Sequence, residues 1–81
     1  MRQLDLFPDA VHLERTDRAR NMQRYYSLEV APDLFGGHAL VRAWGRIGRS
    51  TTIRIERHGS EAEALAALLE WTGRKRRKGY R

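Results

Sequence analysis

The stretch that decides the fold runs from residue 38 to residue 57 and reads HALVRAWGRIGRSTTIRIER. It contains two segments of alternating side chains, 38–46 and 51–57, which are joined by Ile47-Gly48-Arg49-Ser50. Alternation with a period of two, rich in Val, Ile, Thr and Trp, is typical of half-buried β-strands. Gly48 can adopt the positive φ that a tight connection needs. The stretch therefore predicts an antiparallel β-hairpin.

The two faces of the first strand in this hairpin differ in chemistry. Val41, Ala43 and Gly45 would share one face, and the other would carry Leu40, Arg42, Trp44 and Arg46. Arginines that flank Trp44 would be costly to bury without partners. We therefore expect Trp44 and these arginines to be exposed, with the helix on the opposite face. Arg42 could equally pair with Glu56 across the hairpin.

Upstream of the hairpin, residues 24–31 alternate Tyr26, Leu28 and Val30 with more polar neighbours, which predicts another strand. A turn at 32–37 follows it, since Gly36 and Gly37 are stop signals. Residues 11–15 could form a short first strand, and the polar residues 16–23 indicate a loop. Residues 1–10 contain Pro8 and are interpreted as a flexible N-terminal arm ahead of a single domain, 11–81.

Downstream of the hairpin, Ser60 and Glu63 form a capping box at the start of a helix. An apolar stripe follows, made of Ala64, Leu65, Leu68, Leu69, Trp71 and Thr72. Two ends compete: the helix stops at Gly73, or it runs to Lys78 and stops at Gly79. We favour the longer helix, because basic residues suit its negative C-terminal end. The predicted class is α+β, an antiparallel β-sheet with one α-helix packed on one face.

Composition excludes several classes of function. The chain of 81 residues has no cysteine, so disulfides and thiolate metal sites are excluded. The three histidines lie on separate elements, and no spacing indicates a metal site or a catalytic triad. No segment is apolar and long enough to cross a membrane, and no signal peptide is recognisable. We expect a cytoplasmic protein that is not an enzyme and needs no cofactor.

The net charge of +6 is concentrated at one end of the chain. Residues 1–73 carry ten arginines, ten acidic residues and no lysine, and residues 74–81 add six basic residues without an acid. A concentrated cationic patch is typical of a protein that binds a polyanion. The bias toward arginine fits phosphate, which guanidinium groups bind in a bidentate manner.

Four blocks of sequence, in order, resemble the WGR domain family. Trp44-Gly45-Arg46 followed by Ile47-Gly48-Arg49 matches the signature that names the family. Asn21-Met22-Gln23-Arg24-Tyr25-Tyr26 resembles the family's asparagine and basic-aromatic step into a strand. Ala64 near the helix start and the closing Lys75-Arg76-Arg77-Lys78-Gly79-Tyr80 are similar as well. The resemblance covers residues 11–81. Ser50 departs from it, since many relatives have glycine there.

The resemblance implies a binding function. WGR domains occur in DNA-dependent poly(ADP-ribose) polymerases, where they bind DNA near strand breaks, and in short bacterial proteins. In the polymerases, the tryptophan and arginine that match Trp44 and Arg46 contact the nucleic-acid backbone near a 5′ end. Asn21 and Tyr80 match positions near the DNA more loosely. Because no catalytic or zinc-finger domain is present in this sequence, ADP-ribosylation has no basis here.

We therefore predict a non-catalytic module that binds nucleic acid, DNA more than RNA, at strand ends or nicks. The candidate site consists of Asn21, Arg24, Arg42, Trp44, Arg46, Arg49, Lys75, Lys78 and Tyr80. The alternative is a protein-interaction module that uses the surface of Trp44 and Arg46. The chain is expected to be a monomer.

Overall fold

A computed structural model describes residues 9–81 and gives the predicted α+β class. Four strands follow one another as an antiparallel sheet in chain order: β1 (Ala10–Asp17), β2 (Met22–Pro32), β3 (His38–Arg46) and β4 (Thr51–His58). A single helix, α1 (Glu61–Arg77), follows β4 and packs against β2, β3 and β4. The predicted hairpin is confirmed, with Trp44 opposite Thr52 and Val41 opposite Ile55.

The first two strands are longer than their sequence indicates, and they take up both ends of the predicted loop 16–23, which is thereby shortened to residues 18–21. β1 pairs with β2 as far as Asp17 opposite Met22. One 3₁₀ turn, Arg18–Arg20, connects them; the Asp17 side chain accepts the N–H of Ala19 at 3.1 Å. Asn21 completes the reversal with a φ of 53°. A polar strand at the edge of a sheet has the composition of a loop, which explains the shorter prediction. Ala10 already belongs to β1, and the Asp9 carbonyl accepts the N–H of Val30 at 2.8 Å, so both residues join the sheet; residues 1–8 of the predicted arm lie outside the described residues.

The helix covers the face of β3 that we predicted to be exposed. Tyr26, Leu28 and Val30 form the core as expected, and their partners across the ladder are Trp44, Arg42 and Leu40. The predicted orientation of β3 was therefore wrong. Val41 and Ala43 lie on the outer face, beside Ile53 and Ile55 of β4, each of which is 62% exposed.

Arg42 is buried in this core because three groups compensate its charge. Its Nη2 lies 2.8 Å from Glu56 Oε2, so the predicted pairing with Glu56 is confirmed. Its Nη1 donates a hydrogen bond of 3.0 Å to the Tyr26 hydroxyl. The guanidinium lies over the ring of Trp71, 4.1 Å from its centroid. A buried charge that is paired and hydrogen-bonded avoids most of the penalty on which the prediction rested.

The two ends of α1 match the sequence signals. Ser60 Oγ accepts the N–H of Glu63 at 3.2 Å, and the Glu63 carboxylate reaches back to the N–H of Gly59 at 3.1 Å. The helix runs through Gly73 to Arg77, which confirms the longer form, and Gly79 ends it with a φ of 98°. No helix within residues 9–81 is long and apolar enough to span a membrane.

After α1, the chain returns to the sheet at Tyr80. Tyr80 is buried, with its ring edge-on to Tyr26 at a centroid distance of 6.2 Å. The backbones of Arg81 and Glu14 exchange two hydrogen bonds, of 2.8 and 2.9 Å. The C-terminal residues thus pair with β1 at the edge of the sheet.

Candidate nucleic-acid interface

Three arginines stand side by side across three neighbouring strands. Arg15 of β1 is opposite Arg24 of β2, and Arg24 is opposite Arg46 of β3. We call these three residues the arginine row. They lie on the face that carries α1, at the end of the sheet where the helix finishes. Directly opposed side chains on one face have Cβ atoms about 5 Å apart, and like charges at that spacing repel each other.

Arg46 is held in place by the loop that precedes β2. Its Nη1 donates to the carbonyl oxygen of Asn21 at 2.9 Å, and its Nη2 lies 3.4 Å from Asn21 Oδ1. Asn21 adopts the left-handed backbone conformation that asparagine tolerates better than most residues. Two candidate residues that are far apart in the sequence are therefore joined by hydrogen bonds, and Arg46 links Asn21 to the arginine row.

Trp44 is half-buried beside this pair. Its ring stacks on that of Tyr26, with centroids 5.6 Å apart and planes inclined by 12°. Tyr26 also contacts Trp71, at 6.4 Å between centroids, and Tyr80. Trp44 is thus the outer member of an aromatic cluster and is fixed by packing. It is not the exposed residue that the predicted orientation implied.

The end of α1 adds further cations next to these aromatic rings. Lys75 Nζ lies 4.5 Å from the ring centroid of Tyr26 and 5.8 Å from that of Tyr80. Burial lowers the pKa of Lys75 below its ordinary value of 10.5, and the charges of Lys78 and Arg42 lower it further. An anion bound near Lys75 would relieve this repulsion.

The pKa of Arg42 is shifted in the opposite direction. Burial by itself lowers the pKa of this residue, but Tyr26 and Glu56 outweigh burial and raise it above its ordinary value. Arg42 is therefore a charged core residue. It is not brought to the accessible surface with the other candidates.

The remaining predicted residues lie around the arginine row. Lys78 is exposed and caps α1, and an open groove beside it is lined by Trp71, Arg74, Lys75, Arg77 and Lys78. Arg49 is exposed in the loop between β3 and β4, where its N–H bonds to the carbonyl of Arg46 at 3.0 Å. The fold thus brings most of the candidate set to one end of the molecule.

Arg15 was missed by the sequence analysis. It packs against the end of α1, since a Cβ built on Gly79 would lie 3.2 Å from Arg15 Nε. Nothing in the local sequence around Arg15 indicates a site. Its role depends on strand register, which places it beside Arg24.

The histidines are less scattered than their sequence positions suggested. His38 and His58 are opposite each other on β3 and β4. His38 Nε2 lies 3.6 Å from Glu61, and His58 Nε2 lies 3.7 Å from Glu56. Within residues 9–81, no group of three or more histidine or acidic side chains is arranged to hold a metal ion.

Replacing Lys75 with methionine should separate stability from binding. Because the folded protein binds the Lys75 proton less tightly than the unfolded chain does, its free energy of unfolding should rise as the pH approaches 10.5 from below. The methionine variant should lack this rise and be at least as stable at neutral pH. It should bind nucleic acid about three- to tenfold more weakly, the effect of one lost phosphate contact. Thermal denaturation between pH 7 and pH 10.5 tests the first part; a fall in stability at neutral pH would contradict it.

Comparisons with known proteins gave one family match and one similar protein. The model of the WGR domain matches residues 9–81. The uncharacterized protein y4dW of Sinorhizobium fredii is 40% identical to this chain over 74 residues, which cover 91% of this chain. The matched part covers 36% of y4dW, so this chain spans about a third of the length of that relative. No solved structure matches the chain.

Proposed function

Because this chain belongs to the WGR domain family, we propose that it is a non-catalytic module that binds the sugar–phosphate backbone of nucleic acid, DNA more than RNA. The contact surface is the end of the molecule that carries the arginine row, the Asn21–Arg46 pair and the last turns of α1. Strand ends or nicks are the preferred targets.

The arginine row is the observation that carries this proposal. The strand register places three arginines directly opposite one another on adjacent strands, and like charges in that arrangement destabilise a sheet. An anionic ligand removes that cost and gains charge-assisted hydrogen bonds, which are the strong ones. Phosphates along a single strand supply charges at regular spacing, so one backbone can follow the row.

The mode of binding is to the backbone and not to base edges. The exposed side chains of α1 include Glu61, Glu63 and Glu70, which would repel the phosphates that flank a major groove. Contacts to phosphate fix position but carry no sequence information. Trp44 contributes a rigid apolar wall next to Arg46, against which a terminal sugar or base can pack. An intact duplex has no such terminus to offer, which is why ends or nicks are favoured.

Fluorescence anisotropy with three labelled probes tests the proposal. The probes are an intact hairpin duplex, the same duplex with a nick and a 5′ phosphate, and a single strand, each at low and near-physiological salt. The nicked probe should bind most tightly, and its advantage should persist at the higher salt. Trp44→Ala should reduce that advantage, and Trp71→Phe serves as a control for the aromatic cluster, since it keeps an aromatic ring against the Arg42 guanidinium.

Two results would reject this function in different ways. Equal binding to all probes that disappears with salt would reduce the site to general electrostatic attraction by the C-terminal cations. A lack of binding at low salt would favour the second candidate, a module that binds an acidic protein. An aromatic side chain beside a fixed arginine, as in Trp44 and Arg46, is also typical of protein-binding hot spots.

A further inference from the structure

A short apolar segment precedes the described residues. Residues 3–7 have the sequence Gln-Leu-Asp-Leu-Phe and are followed by Pro8. Three of these five side chains are large and apolar. Their flanks, Arg2 and Asp9, are charged. Proline lacks a backbone N–H and cannot donate a hydrogen bond to a neighbouring strand.

The segment joins the domain at the end far from the arginine row. The carbonyl oxygen of Asp9 accepts the N–H of Val30 at 2.8 Å, and β1 begins at Ala10. β1 then runs for 8 residues to Asp17, beside the Asn21 loop. Arg15, the member of the arginine row that lies on β1, follows Ala10 by five residues, which at about 3.3 Å per residue separates the start of β1 from the row by roughly 17 Å. One ligand at each end can therefore be bound without overlap.

The chemistry of the segment suits a protein and not a polyanion. Residues 1–9 carry Arg2, Asp5 and Asp9, so that phosphate would be repelled more than attracted. Clustered large apolar side chains are the anchors of peptides that bind in an extended form to apolar grooves. The Gln3 amide can both donate and accept a hydrogen bond at the edge of such a groove.

We propose that residues 3–7 are a docking peptide for an apolar groove on a DNA-encircling sliding clamp. Leu4 occupies one pocket of the groove, and Leu6 with Phe7 occupies a second. Asp5 comes between the two groups of apolar side chains and can pair with a basic side chain at the edge of the groove. This inference concerns a site distinct from the arginine row and does not require that row to bind nucleic acid.

The arrangement of the two ends explains what such a peptide would achieve. A clamp already holds duplex DNA, so a protein docked on it meets the DNA at a high effective concentration. Linking two weak contacts in this way can raise the overall affinity by about 10²- to 10⁴-fold without any new contact. The peptide would thus bring a module of low sequence specificity to DNA that is being copied or repaired.

Titration calorimetry with a purified bacterial sliding clamp, without nucleic acid, tests the proposal. Both the full chain and a synthetic peptide of residues 1–10 should bind. The double variant Leu6→Ala/Phe7→Ala should bind at least about tenfold more weakly. The chain offers a matched control, because Asp33-Leu34-Phe35 repeats the same three residues in the loop between β2 and β3. Leu34 and Phe35 are 96% and 79% exposed, and Leu34→Ala/Phe35→Ala should bind the clamp like the parent chain.

The control measurements make each result decisive. Both double variants should keep the parent's melting temperature and its affinity for a nicked duplex. Absence of clamp binding, or an equal loss in both variants, would overturn the proposal. So would a lower melting temperature for Leu6→Ala/Phe7→Ala combined with failure of the peptide to bind, since those residues would then belong to the domain's own packing.

Discussion

Replacing Arg24 and Arg46 together with glutamine should weaken binding to a nicked duplex by about 100-fold at low salt. Each residue is expected to contribute one charge-assisted contact to phosphate, worth about 1.5 kcal/mol, and two such contacts amount to about two factors of ten. The slope of log affinity against log salt should fall by about two, because two fewer counterions are released. Anisotropy over a series of salt concentrations measures both quantities.

Arg54→Gln is the matched control for this prediction. Arg54 is an exposed arginine on the same side of the sheet, opposite Arg42 on the edge strand and away from the arginine row. Its loss should change affinity by less than about threefold, the contribution of general electrostatics alone. If Arg54→Gln weakened binding as much per charge removed as the double substitution of Arg24 and Arg46, net charge, and not the arginine row, would determine affinity.

Arg42→Ala should lower the free energy of unfolding by about 2–3 kcal/mol. The substitution removes the ion pair with Glu56, the hydrogen bond to Tyr26 and the contact with Trp71. It leaves Glu56 without its partner and opens a cavity under α1. The effect is below the full value for a buried pair because the Glu56 side chain is 30% exposed and can recruit water. Urea denaturation followed by tryptophan fluorescence measures it.

Glu56→Gln provides the comparison, since an amide can still accept a hydrogen bond from Arg42. It should cost less than half as much. Where Arg42→Ala remains folded, it should bind a nicked duplex as the parent does, because Arg42 is part of the core. If the variant were stably folded but bound the nicked duplex more weakly, Arg42 would instead belong to the binding surface.

The order and type of the elements could be predicted from the sequence, but the covered face of β3 could not. Alternation indicates which residues share a face, and it separates Arg42 and Trp44 correctly from Val41 and Ala43. Which face is buried depends on the partners that the fold supplies. The free-energy cost of burying Arg42 led us to predict that its face is exposed. The sequence does not indicate that Glu56, Tyr26 and Trp71 all contact Arg42 and so reduce that cost.

The candidate site was predictable where short motifs carry it. Trp44, Arg46, Asn21 and Tyr80 were found through the family pattern, and the structure brings them to one end of the molecule. The arginine row was not predictable, since it depends on the register of β1 against β2 and of β2 against β3. The sequence around Arg15 was interpreted as a short strand leading into a polar loop, and strand register cannot be derived from such a pattern.

The closure of the sheet by residues 80 and 81 has a consequence for synthesis on the ribosome. The strands pair with their neighbours in chain order, so β1 to β4 can begin to associate as they emerge. Tyr80 belongs to the core around Tyr26, however, and Arg81 pairs with Glu14 near the start of the chain. Such distant contacts form late and slow the final step of folding. The aromatic cluster on the sheet therefore stays incomplete during synthesis until residues 80 and 81 have left the exit tunnel.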